Sequence, residues 1–569
     1  MEISSKRNSG RALLLFSLFF YVLLKLPSDL AIICPGENEG LSFIYGQNFL
    51  LHKDLVIGRG LLFVLAYTFI LKIFGFNTYS IIAVHFMQTI IIILSGIAIY
   101  LMVKRVVKEE LYSGLAVLLW ILMLMTPVGA SGIITESRSH YALEPEVFCV
   151  FFSLYSILCL SLGNYFDTSH KSKPNAKEKL FLFLAGVLAV CSFMFKASGA
   201  VLLIATFFWF LFFLFFRRES FNILTENMTF YLCGALVSLI FFDFILYLLT
   251  GDLTKWWRNY FLIGSYNHDY LNSPLLFLKS VYHFMTRYTS SVNNFLLFFL
   301  GITFFLAGAC RCFFSRNNMS PFLFFWGFIS IWGIGNTVAV ITPGSYQPYY
   351  YHLVWPCLAI VVVLGLQFLL GKINVSFIRA VVISALLILF AFRVFTVCPA
   401  YCKNLRVLLY FNVFNQPQSF EDPVLPYNPA TSKRFILLRL ADMINQLLPD
   451  KDDTFYIFNF SPNGFTSFTP LSYIYAKRYP PTTIDCGLLR VPTIVKDKLI
   501  ILQQNLSDRP PELLVISEDN YFIKWQMRTF KSFLNWFEKF ISTNYKYETK
   551  LTYKSPKRQE TFLVYRKIK

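Results

Sequence analysis

The residues able to do chemistry lie in short stretches between long apolar runs. One stretch, CPGENEGLSFIYGQNFLLHKDLVIGRGLLFVL, places Glu37, Glu39 and Asp54 beside Lys53 and Arg59. A second, ESRSHYALEPEVF, supplies Glu136, Arg138, His140, Glu144 and Glu146. Lys196 stands in CSFMFKASGAVLL, where Ser198 and Gly199 let the chain double back. Arg258 and Tyr260 follow in WWRNYFLIGSYNHDY, and Tyr350 in GSYQPYYYHLVWP. Carboxylates beside lysine and arginine suit group transfer from a lipid phosphate. A carboxylate can accept the proton of an attacking hydroxyl. Cations can neutralise the departing phosphate, and aromatic rings can stack on a sugar. The bland alternative is that these loop charges pair with one another or with lipid head groups. It carries least weight for Lys196, because an unpaired ammonium in an apolar stretch is costly.

The elements that must hold these residues are membrane spans. Of 569 residues, 56% are hydrophobic and 15% charged, against roughly 25% charged in an average soluble domain. Phe alone contributes 64. This composition excludes a disordered chain, a collagen and a disulfide scaffold, and argues against a purely soluble enzyme. The net charge of +19 is spread along the chain and forms no nucleic-acid stripe. The 11 Cys include no CxxC pair, so no zinc ribbon or thioredoxin-type site is indicated.

Apolar runs at 12–26, 79–103, 112–129, 147–163, 180–196, 199–216, 230–250, 293–310, 320–341, 352–371 and 376–398 predict about eleven spans. The first is read as an uncleaved span and not as a signal peptide. The connecting loops divide by charge. Lys104, Arg105 and Lys108, then Lys171 to Lys179, Arg217 and Arg218, Arg311 and Arg316, and Lys372 and Arg379 fall in one set. The loops 34–78, 130–146, 251–290 and 342–351 form the other, rich in Tyr, Trp, Gly and acidic residues. The positive-inside rule puts the basic set and the N-terminus in the cytoplasm, and the chemically interesting set outside. The run 61–75 is too short to span comfortably and is read as a helix at the outer interface. From about 399 to 569 apolar runs shorten. DTFYIFNF, PELLVISED and ETFLVYRK read as strands, and RFILLRLADMINQLL as a helix. The expectation is an α-helical polytopic domain, 1–398, followed by an extracytoplasmic α/β domain, 399–569. The basic bias after Tyr521 reads first as a solvated face, with contact to anionic lipid as the alternative.

In order and spacing these stretches resemble the GT-C glycosyltransferases, in particular the protein O-mannosyltransferase and lipid A aminoarabinose transferase type of bacterial inner membranes. That family carries an acidic motif, often Asp-Glu, after its first span. Here Pro35-Gly36-Glu37-Asn38-Glu39-Gly40 stands there without the usual Asp, which leaves Glu37 and Glu39 as alternatives. The family's Lys-Pro before an amphipathic helix corresponds to Arg59-Gly60, its Leu-Asp-Pro resembles Leu143-Glu144-Pro145, and its embedded Lys resembles Lys196. Tyr351-His352-Leu353-Val354-Trp355-Pro356-Cys357 resembles a late Tyr-x-Leu-x-Pro-Cys stretch.

The resemblance implies a GT-C fold and transfer of a sugar from a polyprenyl-phosphate donor, with inversion, to an envelope glycan, lipid A or a protein hydroxyl. It implies Glu37, Glu39 and Glu144 as the acidic groups and Lys196 and Arg59 as phosphate ligands. Asp54, Arg138, Arg258, Tyr260 and Tyr350 are the candidates for substrate contact. Membrane lipids are expected as partners, and nucleic acid is not. No cofactor is called for; the family admits a divalent cation, but no His/Asp ligand set of convincing spacing supports one. The rival readings are a lipid-linked-glycan transporter or flippase and a non-catalytic assembly scaffold. Against the first, no repeat of two similar halves is visible.

Overall fold

The computed structural model describes residues 2–31, 60–75, 78–124, 145–166, 173–216, 221–254, 292–314, 320–341, 348–370, 439–458, 492–517, 531–555, 558–568 and a few isolated positions, Trp257 and Tyr260 among them. Among the described residues eleven α-helices come first: α1 (Glu2–Ala31), α2 (Leu61–Phe74), α3 (Thr78–Val107), α4 (Glu110–Leu124), α5 (Pro145–Leu162), α6 (Ala176–Phe195), α7 (Ala200–Phe216), α8 (Phe221–Thr250), α9 (Val292–Phe314), α10 (Pro321–Ile341) and α11 (Trp355–Leu370).

Among the described residues six helical stretches are long and apolar enough to cross a membrane: Tyr79–Val107, Pro145–Leu162, Ala176–Phe195, Asn222–Leu248, Pro321–Ile341 and Tyr351–Leu370. The described parts of the runs expected at 12–26, 112–129, 199–216 and 293–310 are helical too, but their apolar stretches are shorter. The run at 376–398 lies almost wholly outside the described residues. The helix expected at 61–75 is present as α2. It buries Leu61, Phe63, Val64, Tyr67, Thr68 and Ile70 and leaves Phe69, Ile73 and Phe74 exposed.

Apolar side chains fill the bundle, with Trp120, Trp209, Trp326, Trp332 and Trp355 almost fully enclosed. Polar ties fix helices to each other where the sequence allows. At the end rich in basic residues, Glu110 receives Lys104 Nζ at 2.7 Å, Tyr100 OH at 3.1 Å and Arg11 Nε at 3.2 Å, which joins α1, α3 and α4. At the same end α6 starts on a capping box: Glu178 N donates to Asn175 Oδ1 at 3.0 Å and Asn175 N to Glu178 Oε2 at 2.8 Å.

The C-terminal part holds a four-stranded sheet built from β1 (Phe455–Phe458), β2 (Leu513–Ser517), β3 (Tyr545–Ser555) and β4 (Arg558–Lys567). The order is β1-β2-β4-β3, with β1 parallel to β2 and the other pairs antiparallel. Strand alternation gives the sheet two apolar faces. Phe455 and Ile457 meet Leu440, Ile444 and Tyr473 on one side. Tyr456 and Phe458 meet α12 (Pro492–Asp508) and α13 (Lys531–Asn544) on the other, through Leu502, Leu506, Phe533 and Phe537. The three expected strands are present. The reading of the basic tail as a solvated face omitted β3, whose Lys546, Lys550 and Lys554 lie on an edge strand.

Candidate functional site

The site forms where α5 begins and α6 ends. α6 stops at Lys196, whose backbone is extended (φ −156°, ψ 142°), and a single 3-10 turn, Ala197–Gly199, reverses the chain into α7. Gly199 is required there: a Cβ would lie 2.4 Å from the Ser192 carbonyl carbon. The turn leaves the Lys196 ammonium facing the first turn of α5, where it forms an ion pair with the Glu146 carboxylate. The Glu146 side chain is fully enclosed, whereas that of Lys196 is 23% exposed. Glu146 Oε2 is buried with no hydrogen-bond partner among the described residues. Both helix dipoles favour the arrangement, since the acid sits at a helix N-terminus and the cation just beyond a helix C-terminus.

Beneath the pair, α5 and α6 are locked together. Ser192 Oγ donates to the Cys149 carbonyl at 2.9 Å and lies 2.9 Å from Ser153 Oγ, and Ser156 Oγ donates to the Ala185 carbonyl at 2.7 Å. Phe195 stacks between Phe148 (5.0 Å, 9°) and Phe152 (5.2 Å, 21°). α2 closes in from the other side. A Cβ on Gly60 would fall 2.1 Å from the Met194 carbonyl oxygen and 2.3 Å from that of Phe195, so backbone meets backbone. The segment entering α2 is therefore held directly against the end of α6.

Of the residues expected from sequence, Lys196 occupies the centre of this arrangement. The reasoning that gave it a phosphate as its charge partner changes, because a protein carboxylate, Glu146, already pairs with it. Tyr260 is placed as well, but as a brace: it is 4% exposed, its hydroxyl donates to the Phe193 carbonyl, and burial pushes its phenol well above the usual tyrosine range. It therefore stays a neutral donor that ties its segment to α6. Tyr350 lies in the 3-10 turn Pro348–Leu353 that leads into α11. Glu37, Glu39, Asp54, Arg59, Arg138, Glu144 and Arg258 lie outside the described residues. Arg59 directly precedes Gly60 and Glu144 directly precedes Pro145, so both adjoin the described site in the chain. Among the described residues no group of three or more His, Cys, Asp or Glu could hold a metal ion.

No protein-family model matches the chain, and no curated protein matches it in sequence. Solved structures do. The archaeal oligosaccharyltransferase AglB of Archaeoglobus fulgidus, in complex with an inhibitory peptide and a dolichol-phosphate, aligns over 97% of this chain and 74% of its own, with a TM-score of 0.52 and 11% identity. The apo form of the A. fulgidus oligosaccharyltransferase aligns over the same shares with a TM-score of 0.51 and 12% identity. The chain shares the fold of these archaeal oligosaccharyltransferase structures. Within this fold, the acid missed as a site residue is Glu146. It was visible two residues after Glu144 in Leu-Glu-Pro-Glu, but only the fold brings it to Lys196.

Proposed function

We propose that the chain is an integral membrane glycosyltransferase that moves a sugar from a polyprenyl-phosphate donor to an envelope glycan, lipid A or a protein at the outer face of the cytoplasmic membrane. The observation that carries this is the Lys196–Glu146 pair at the end of α6 in a chain of GT-C fold. Glu146 is the enclosed partner and Lys196 the more accessible one, so the carboxylate orients a cation whose side chain is partly exposed. The neighbour of known structure is bound to a dolichol-phosphate, a lipid phosphate of the kind such a cation would hold.

In this reading the acceptor oxygen attacks the anomeric carbon as the bond from that carbon to the phosphate oxygen breaks, on the opposite face, which inverts the configuration. Negative charge grows on the departing phosphate and is met by Lys196 and Arg59. The acceptor proton passes to Glu37 or Glu39, with Glu144 as a second acidic group; such proton transfer contributes about 10²- to 10⁴-fold. If the acceptor is itself a phosphate, no base is needed and the carboxylates only position it. The membrane domain, 1–398, has its loops 34–78, 130–146 and 251–290 outside, and the domain 399–569 is extracytoplasmic. The test is incorporation of labelled sugar from undecaprenyl-phosphate sugars into lipid, glycan and protein fractions by membranes holding the wild-type chain or Lys196→Met. Transfer that Lys196→Met abolishes supports the proposal. Transfer unchanged by Lys196→Met removes Lys196 from the site, and no transfer to any fraction removes the proposal.

A further inference from the structure

The apolar run of α8 conceals one charged residue the account above does not use. From Asn227 to Thr250 the sole Asp, Glu, Lys, Arg or His is Asp243. Its Oδ1 accepts the indole N–H of Trp257 at 3.0 Å, and the side chain is partly exposed. No cation pairs with it among the described residues. The hydrogen bond to Trp257 does not by itself call for a charge, because a neutral carboxamide would accept the same N–H. An anion in an apolar helix is costly and marks a site where charge is used.

Its position says which site. α6 and α8 run in the same direction and touch backbone to backbone: a Cβ on Gly186 would lie 2.0 Å from the Tyr231 carbonyl oxygen, and one on Gly234 2.0 Å from that of Phe183. Counting along both helices from these contacts brings Asp243 to within about one turn, ~5 Å, of the height of Phe193 to Lys196. The side chains agree. Trp257, which holds Asp243, stacks on Phe193 (5.7 Å, 16°), and Tyr260 stands edge-on to Trp257 at 6.1 Å. Asp243 thus flanks the end of α6 from the α8 side, while Glu146 flanks it from the α5 side.

We infer that Asp243, oriented by Trp257, receives hydroxyl groups of the sugar carried by the lipid phosphate, and so sets which sugar the enzyme accepts. The inference rests on the reading of the chain as a lipid-phosphate-sugar transferase. A partly exposed carboxylate with one oxygen held by an indole N–H is a strong acceptor for sugar hydroxyls, and a nearby aromatic ring adds apolar surface for the sugar's C–H faces.

The experiment measures binding of undecaprenyl phosphate, bare or bearing mannose, glucose, N-acetylglucosamine or 4-amino-4-deoxyarabinose, to the full-length chain in nanodiscs. Asp243→Asn keeps an oxygen for the Trp257 N–H and removes the charge, so thermal unfolding should match wild type. The expected result is that Asp243→Asn weakens binding of the preferred sugar lipid about 10- to 100-fold and leaves bare undecaprenyl phosphate unchanged. Trp257→Phe, which keeps the ring and loses the N–H, should weaken the same lipid in the same direction. Equal binding of every lipid by Asp243→Asn and wild type overturns the inference. So does a wild-type chain that binds no sugar lipid better than the bare one. A wild-type chain that binds none of the lipids overturns the transferase reading itself.

Discussion

Replacing Lys196 by Met separates two roles that a single variant would confuse. The Glu146 carboxylate is fully enclosed and pairs with the Lys196 ammonium. Removing one member of a buried pair typically costs about 3–5 kcal/mol, because the other charge stays behind. Lys196 is 23% exposed, which places its loss toward the lower end, about 3 kcal/mol. Glu146→Gln leaves the ammonium, which can still reach polar surroundings, so about 1–2 kcal/mol is expected. The double variant Lys196→Met, Glu146→Gln leaves no stranded charge and should be only about 1–2 kcal/mol less stable than wild type. The coupling energy is then about 2–4 kcal/mol, well above the error of such a cycle. Reversible unfolding of the detergent-solubilised chain, followed by tryptophan fluorescence, measures it. Sugar transfer is measured on the same four proteins. The double variant should regain most of the stability and none of the transfer. Single costs that add without coupling would refute the pair. Restored transfer in the double variant would refute the role of the Lys196 charge.

Other expectations follow from named contacts. Gly60→Ala sets a methyl 2.1 Å from the Met194 carbonyl oxygen, so α2 must move off α6; folded yield and transfer should both fall sharply, and wild-type values for both would mean the contact is absent. Arg478 donates to the carbonyls of Leu448, Asp450 and Asp453 and to Asn445 Oδ1; Arg478→Met should destabilise the C-terminal sheet by about 3 kcal/mol or more, read as earlier protease cleavage after residue 399. Glu37→Gln and Glu39→Gln separate the two candidate bases: one should lower transfer about 10²- to 10⁴-fold with donor binding little changed, and wild-type turnover in both shifts the role to Glu144.

Much of the fold was legible because membrane spans leave a coarse signal. Runs such as 147–163 and 320–341 reappear as α5 and α10 with nearly the same ends. Lys196 was legible because a cation amid Cys191 to Leu203 has no cheap apolar explanation. What could not be read was which groups meet. Glu146 and Lys196 are 50 residues apart, and their pairing depends on α5 and α6 lying side by side. Asp243 was hidden for a different reason. One carboxylate in the apolar run 230–250 barely lowers its mean hydropathy, so the run reads as uninterrupted. β3 was missed because YKYETKLTYKS carries alternating Lys and Tyr or Thr on an edge strand, and the charge bias masked the period of two.

The most direct measurement is comparative mass spectrometry of envelope lipids, glycans and proteins. The cells compared would hold the wild-type chain, no chain, or the Lys196→Met, Glu146→Gln double variant that is expected to fold. A lipid-phosphate-dependent glycosyltransferase predicts one sugar modification present with the wild-type chain, absent without it, and absent with the double variant despite normal membrane levels. Identical spectra from all three, or a modification that survives in the double variant, would contradict the account.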